Sequence, residues 1–272
     1  MTVRTEQEEH TTMTHSPEPA LVDGSRPLSP GTVQALNALC DRAEDEGGHA
    51  PVVLRVAGAP GAPAPAPPLA LVNKWERALR RLERLDRPTV ALVGDAPWAT
   101  DGTGTNEVGD TTGGTGGTDP AEAADHPAGS LGNDCGGTAL EVLLATDYRI
   151  APPTARLLLP VGPEGVWPGM ALHRLVNQAG VAATRRAVLF GAALTAPDAV
   201  DLSLLDDLPD DPAAALAAVA GLLAAAAPGI AIRRQLMLDA ATTPHEEALG
   251  RHLAACDRVL RRAAGAPAGT VA

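Results

Sequence analysis

The sequence predicts an α/β domain followed by a helical C-terminal region. Three observations carry that expectation. Two short β-rich runs, PVVLRVA from Pro51 to Ala57 and PTVALVG from Pro88 to Gly94, read as buried strands. Each follows a stretch of helical periodicity, and alternating helix and strand implies crossover connections. Beyond Pro168-Gly169 the pattern is nearly all helix. The length of 272 residues fits one large domain or two small ones.

Residues 1–19 are polar and acidic and read as a disordered tail, since nothing there could form a core. Ala20 to Asp23 is a short strand. Ser29-Pro30 opens a helix whose Val33, Leu36, Leu39, Cys40 and Ala43 share one face, and Glu44 to Gly48 ends it. After the strand Pro51 to Ala57 comes a Pro/Ala loop, GAPGAPAPAPP. The next helix runs from Leu69 to Leu85, with Leu71, Val72, Trp75, Leu79 and Leu82 on its apolar face. The strand Pro88 to Gly94 leads into residues 99–133, rich in Gly, Thr, Asp and Ala. Such a segment cannot bury enough apolar surface to offset its ordering entropy, and it reads as a flexible insertion.

A helix from Gly137 to Ala145 and a strand from Tyr148 to Ala151 follow. Pro168-Gly169 leads into a helix ending near Gln178, and Ala182 to Phe190 forms another. Ala213 to Ala227 is a helix capped by Asp211, with Pro212 in its first turn. Ile230 to Leu238 continues the helical region. Thr243-Pro244-His245-Glu246 has the form of a capping box and starts a last amphipathic helix, with Leu249, Leu253, Cys256, Val259 and Leu260 on one face. The expected division is a core over residues 20–200, a helical region over 201–263 and a tail over 264–272.

Composition narrows the function classes. The net charge of −12 speaks against bulk nucleic-acid binding. Basic residues cluster once, at Lys74, Arg77, Arg80, Arg81, Arg84 and Arg87. A solvated helix face or a site for an anionic ligand would each explain the cluster. Cys40, Cys135 and Cys256 are far apart and form no CxxC, so neither a disulfide framework nor a metal site is expected. No apolar h-region marks a secretory signal, and no run of about 20 apolar residues suggests a membrane span. The expected localisation is cytoplasmic. Aromatics make up only 2% of the chain, so the core must be built from Leu, Val and Ala.

The stretch GNDCGGTALEVLLATDYRIA holds the candidate site. Glu141 is the only charged residue from Gly136 to Thr146, among Leu140, Val142, Leu143 and Leu144. One reading is structural: Thr138 and Glu141 fit a capping box, threonine at the cap and glutamate three residues on. The other is catalytic. Gly136-Gly137 would let a ligand approach the backbone closely. The amides of a helix's first turn lack intrahelical partners and form a site for developing negative charge. A carboxyl one turn along, raised in pKa by burial, could move a proton. Both readings stand at this level.

The segment GGTALEVLLATDYRIA, followed by Pro160 and by Pro168-Gly169, resembles the enoyl-CoA hydratase/isomerase (crotonase) family. Its motif is GGG-x-E-L-A-x-x-x-D-x-x-x-A, then P-E and, eight residues after that proline, P-G. Glu141 lies six residues before Asp147, as in the family, and Ala151 and Ala155 fall in place. More weakly, the order of strands and helices from Ala20 to Leu260, the His173-Arg174-Leu175 stretch and the segment Gly191 to Val200 are similar as well. More closely, LVDGSRPLSPGTVQALNALCDRAED and CGGTALEVLLATDYRIA resemble the crotonase-like proteins of the 3,5-dihydroxyphenylglycine pathway, which supplies a residue of glycopeptide antibiotics.

The resemblance implies a spiral of ββα units with a helical C-terminal region. It implies a CoA-thioester substrate, with CoA as part of the substrate and no separate cofactor or metal. It implies Glu141 as acid/base and backbone amides at Gly137 and Thr138 as oxyanion donors. For the pathway it implies help in the dehydration or aromatisation of a polyketide intermediate to 3,5-dihydroxyphenylacetyl-CoA. A type III polyketide synthase and a second crotonase-like protein would be partners, and self-association is expected because relatives often form trimers.

Three departures qualify this. The family's second glutamate directly follows the motif proline, but Val161 follows Pro160, and Glu164 lies three residues later. Thr138 and Ala139 replace the second and third glycines of the motif. The family's A-x-G-x-D segment, source of the other oxyanion amide, is replaced by GAPGAPAPAPPLAL. Its candidate donors are Gly61, Ala62, Ala64 and Ala66, since proline has no N–H. These departures leave a non-catalytic, crotonase-fold partner of the synthase as the alternative to an enzyme.

Overall fold

The computed structural model describes residues 19–61, 66–94, 131–162 and 164–265. The expected tails and almost all of the insertion, together with Ala62 and Ala64, lie outside the described residues. The chain begins with strand β1 (Ala20–Asp23) and helix α1 (Pro30–Glu46). Ser29 caps α1, its Oγ accepting from the Thr32 amide at 3.1 Å. Val33, Leu36, Leu39, Cys40 and Ala43 are buried, the face that their spacing indicated. Strand β2 (Val52–Ala57), helix α2 (Leu69–Leu82) and strand β3 (Thr89–Val93) follow. Helix α2 stops three residues before the expected Leu85, with Glu83 in the C-cap position.

Four short elements come next: strand β4 (Asp134–Gly136), helix α3 (Gly137–Leu144), strand β5 (Tyr148–Ile150) and strand β6 (Arg156–Leu158). The main sheet has the order β1-β2-β3-β5 with every pairing parallel. Parallel pairing explains why β2 and β3 read as continuous apolar runs rather than alternating ones: they are covered on both faces. A second sheet joins β4, β6 and strand β9 (Leu194–Thr195), with Gly58 bridged onto β4. Strands β7 (Val161–Gly162) and β8 (Gly165–Val166) form a small hairpin. Sequence periodicity did not reveal β4, β6 and β9, because three residues or fewer carry no period.

Helices α4 (Met170–Ala179), α5 (Val181–Phe190), α6 (Ala196–Asp201), α7 (Pro212–Ala226), α8 (Ile230–Asp239) and α9 (His245–Gly265) complete the described chain. Asp211 caps α7 as expected, its Oδ1 accepting from the Ala213 and Ala214 amides at 3.0 and 3.1 Å. No single helix among the described residues is long and apolar enough to cross a membrane.

The core lies around α3. Ala139, Leu140, Val142, Leu143 and Leu144 are buried against Leu54 and Val56 of β2, Leu79 and Leu82 of α2 and Leu175 of α4, among others. A helix buried on nearly every side needs no polar face, which accounts for the apolar run around Glu141.

A buried cation of the helical region ties it to this core. Arg234 of α8 donates to both oxygens of Asp147 at 2.6 Å and to the carbonyls of Glu83, Leu85 and Arg87 at 2.8 to 3.1 Å. Helix α9 differs from expectation. Leu249, Leu253, Val259 and Leu260 of its apolar stripe are at least half exposed, and Ala255 is its buried residue. Nothing in this single chain covers that stripe among the described residues.

Candidate active site

Glycines concentrate where the ends of β1 and β2 meet the start of α3. A Cβ at Gly24 would stand 2.1 Å from the Gly136 carbonyl oxygen and 2.5 Å from that of Gly58. A Cβ at Gly136 would meet Ala59 Cβ at 2.8 Å, and one at Gly137, where φ is +52°, would meet the Gly24 carbonyl oxygen at 2.7 Å. The Gly136 amide donates to the Gly58 carbonyl at 2.9 Å. These glycines therefore serve first to bring three backbone segments together. The close approach expected of a ligand at Gly136-Gly137 is already made by the protein's own backbone.

The capping-box reading of Thr138 and Glu141 does not hold. Gly136 occupies the N-cap position, and no side chain caps α3. Thr138 is already helical and buried, and its hydroxyl donates to the Asp23 carbonyl at 3.3 Å, which ties α3 to β1. The glutamate turns to a different element: Trp75 Nε1 of α2 donates to Glu141 Oε2 at 2.5 Å. The physical reason is the glycine junction. It lets the helix begin at Gly137, with the cap at Gly136, so the Thr138 hydroxyl is no longer at the cap. The first amides of α3 consequently face no capping side chain.

At the other end of α3 side chains meet the Leu144 and Thr146 carbonyls. Arg149, itself buried, donates to the carbonyls of Leu144, Thr146 and Leu204 at 3.1 to 3.3 Å. Gln178 of α4 adds a bond to the Leu144 carbonyl at 2.8 Å.

The Glu141 carboxyl sits one turn into α3, partly buried between α2 and the start of α4. Burial pushes its pKa from the usual 4.5 up to about 7. The Trp75 hydrogen bond pulls it down, the Glu76 charge pushes it up and the Arg174 charge pulls it down. Arg174 of α4 is paired with both oxygens of Glu76, at 2.9 and 3.3 Å, and with Glu83 at 3.0 Å. The second carboxyl oxygen faces Gly169: a Cβ there would stand 3.6 Å from Oε1 and 2.8 Å from the Trp167 ring.

Glu164 sits in the exposed turn of the β7–β8 hairpin, and no hydrogen bond or ion pair joins it to Glu141 among the described residues. Gly61 is exposed, with open space where a side chain would be, and Ala66 is exposed as well. What lies directly against the start of α3 is the preceding segment: Ala59, and Pro60, whose Cγ would be 3.4 Å from a Cβ at Gly137.

The basic cluster divides. Arg81 is held by Asp41 at 2.6 Å and Glu44 at 2.5 Å. Arg87 is buried and donates to the carbonyls of Ala50 and Ala43. Lys74, Arg77 and Arg80 are exposed on α2, and Arg84 is exposed just beyond its end. No group of three or more His, Cys, Asp or Glu side chains among the described residues could hold a metal ion.

Comparison with known proteins places this arrangement. The chain is 44% identical over 247 residues to an enoyl-CoA-hydratase of Amycolatopsis orientalis, covering 89% of this chain and 95% of that one. The chain belongs to the enoyl-CoA hydratase/isomerase family. It is an enoyl-CoA hydratase/isomerase-like enzyme. No family model matches it. Solved structures share its fold at low identity. An enoyl-CoA hydratase/isomerase from Marinobacter aquaeolei superposes with a TM-score of 0.62 at 14% identity, over 91% of this chain and 90% of that one. An enoyl-CoA hydratase/isomerase family protein from Silicibacter pomeroyi gives 0.61 at 19% identity, over 89% and 94%. These likenesses establish the crotonase fold.

Within the crotonase motif the structure separates two carboxylates that sequence spacing alone treats alike. Asp147 is structural: it accepts from the Thr89 amide and hydroxyl and from Arg234. Among the described residues Glu141 accepts from the Trp75 indole, and its second oxygen faces Gly169. Sequence reasoning placed Trp75 on an apolar face and missed its N–H. The signal was present in composition, because a tryptophan buried in a core of Leu, Val and Ala needs an acceptor for its one polar group.

Proposed function

We propose that this crotonase-fold enzyme acts on a CoA thioester, with Glu141 as its single acid/base. The amides at the start of α3, around Gly137 and Thr138, would stabilise the thioester oxygen as it gains enolate character. The observation that carries this reading is the Glu141 carboxyl, held at a pKa of about 7 one turn from an uncapped helix start. A group near pH 7 is present in both protonation states and can both take and return a proton. One carboxyl suffices for elimination on one face. Glu141 removes the proton α to the thioester, the electron pair forms the C=C bond, and the β C–O bond breaks. The same proton leaves on the departing hydroxyl as water.

The finer assignment rests on the resemblance to crotonase-like proteins of the 3,5-dihydroxyphenylglycine pathway, with the Amycolatopsis orientalis relative as support. In that reading the reaction is dehydration or aromatisation of a polyketide thioester to 3,5-dihydroxyphenylacetyl-CoA, alongside a type III polyketide synthase and a second crotonase-like protein. CoA belongs to the substrate, and no metal or separate cofactor takes part. Self-association belongs to the same proposal, since the Leu249, Leu253, Val259 and Leu260 stripe is uncovered in one chain. A cytoplasmic setting would suit such a substrate.

A second reading, a non-catalytic partner subunit, is favoured by one observation: Glu164 stands in an exposed turn rather than beside Glu141. Product analysis of the synthase reaction, with wild-type protein, with Glu141→Gln and with neither, decides between them. An enzyme's contribution disappears in the variant, while a scaffold's contribution survives.

A further inference from the structure

The two oxygens of Glu141 have different surroundings, and a fixed donor makes the difference. We propose that Trp75 is a positioning residue that holds Glu141 Oε2 permanently as an acceptor, so that the exchanging proton is carried on Oε1, facing Gly169. The inference rests on the reading of Glu141 as the acid/base.

Trp75 is only 1% exposed, so its N–H depends on a partner within the protein. The partner is Oε2, at 2.5 Å. An indole N–H donates only; it neither accepts nor titrates in water's working range. Oε2 must therefore accept whether the carboxyl is charged or neutral, and a proton on Oε2 would face the indole N–H head-on. Oε1 is left to carry it. Oε1 faces Gly169, where a Cβ would meet the oxygen in ordinary contact at 3.6 Å and press on the Trp167 ring at 2.8 Å.

The donor cannot drift, because α2 is clamped. Glu76, next in sequence to Trp75, and Glu83, two turns further on, both bind the Arg174 guanidinium of α4. Helix α4 begins at Met170, directly after Gly169. One buried arginine thus fixes the indole on one side of the carboxyl and the start of α4 on the other. Trp167 bounds the same position, since a Cβ at Gly169 would stand 2.8 Å from its ring and 3.6 Å from Oε1.

The charged groups acting on Glu141 are Glu76, which favours the neutral carboxyl, and Arg174, which favours the charged one. They pair with each other, so the Trp75 bond is the adjustable contribution. Deleting it should raise the carboxyl's titration midpoint and leave its orientation loose.

The test uses the full chain. The Glu141 carboxyl is titrated by infrared difference spectroscopy, with Glu141→Gln as the reference to subtract. Product formation is followed with the synthase present. Trp75→Phe should move the midpoint upward and lower kcat by about tenfold to a hundredfold with KM little changed, as expected of a misplaced acid/base. If that variant folds poorly, β-(3-benzothienyl)alanine at position 75 keeps the ring and deletes only the N–H, and the same two changes are expected. An unmoved midpoint in either variant overturns the proposal, as does an unchanged kcat. Failure of the acid/base reading would appear separately, as full product formation by Glu141→Gln whatever the midpoint does.

Discussion

At its C-terminal end α3 meets a buried guanidinium and an amide side chain, Arg149 and Gln178, and its carbonyls at Leu144 and Thr146 are bonded. At its N-terminal end, eight residues away, the cap is a glycine with no side chain to offer, and the Glu141 carboxyl one turn along accepts from another helix. Both ends are buried in the same core, so solvent does not explain the contrast. Orphan groups at a buried helix end are costly unless something meets them. An uncapped helix start is the feature that the proposed thioester site would use. On the proposed reading, stability is concentrated at the carboxyl end and chemistry at the amino end.

Substitution at Glu141 probes the chemical end and should give the largest effect. Glu141→Gln is nearly isosteric and can still accept from Trp75. It should lower the rate of product formation by about 10²–10⁴ with the fold intact, which is the span for loss of a general acid/base. Steady-state rates beside circular dichroism measure both. A fall in rate with a matching loss of folded protein would erase the proposed division of labour.

The opposite end should respond in the opposite way. Arg149→Met removes the donors to three buried carbonyls, and unsatisfied buried acceptors cost about 1–3 kcal/mol each. Gln178 still serves Leu144, so a loss of about 3–4 kcal/mol is expected. Denaturant unfolding reads the loss directly. The fraction that remains folded should turn over at nearly the wild-type rate, because nothing at Glu141 has moved.

The amino end also carries a stability cost that depends on pH. Glu141 has a folded pKa near 7 against an ordinary 4.5, so the folded state binds this proton more tightly than the unfolded chain does. Its contribution is full below the unfolded value and is lost as pH rises through the folded one. By about pH 8 the loss approaches roughly 3 kcal/mol, at about 1.4 kcal/mol per unit. Glu141→Gln cannot ionise, so it should be more stable than wild type at about pH 8 and equal to it near pH 4. A stability difference that stays flat across this range would mean that the carboxyl is not strained by burial.

Much of this was legible in sequence, and the limits have physical causes. Helix α1, strands β2 and β3 and the Asp211 cap of α7 announce themselves through period, β-branched runs and capping chemistry. Glu141 stood out as one charge in an apolar run. Its partner did not, because Trp75 and Glu141 are 66 residues apart and a hydrophobic face conceals a polar N–H. The capping box failed for a local reason. A pattern of threonine and glutamate assumes that the helix starts at the threonine, and the glycine junction starts it earlier. The exposed stripe of α9 misled in another way: amphipathic spacing shows that a face is apolar, not that the same chain covers it.

The smallest effect is expected far from either end of α3, in the acidic Gly/Thr stretch. Residues 95–130 lie outside the described structure, but their attachment points are in it. Gly94, which follows β3, and Asn133 are neighbours: a Cβ at Gly94 would lie 3.7 Å from Asn133 Oδ1. Asn133 is anchored in turn, its side-chain amide donating to Thr154 Oγ1 at 2.8 Å. A loop whose two feet already touch needs no particular length to close, and the closure cost changes only slowly with the number of residues. The composition of the stretch offers no apolar surface for the core. Deleting Thr103 to Gly117 should therefore leave the melting temperature nearly unchanged and the pH dependence at Glu141 intact. A large drop on thermal melting would mean that the stretch packs against the core, and the stability assigned here to the carboxyl end of α3 would then have to be shared with it.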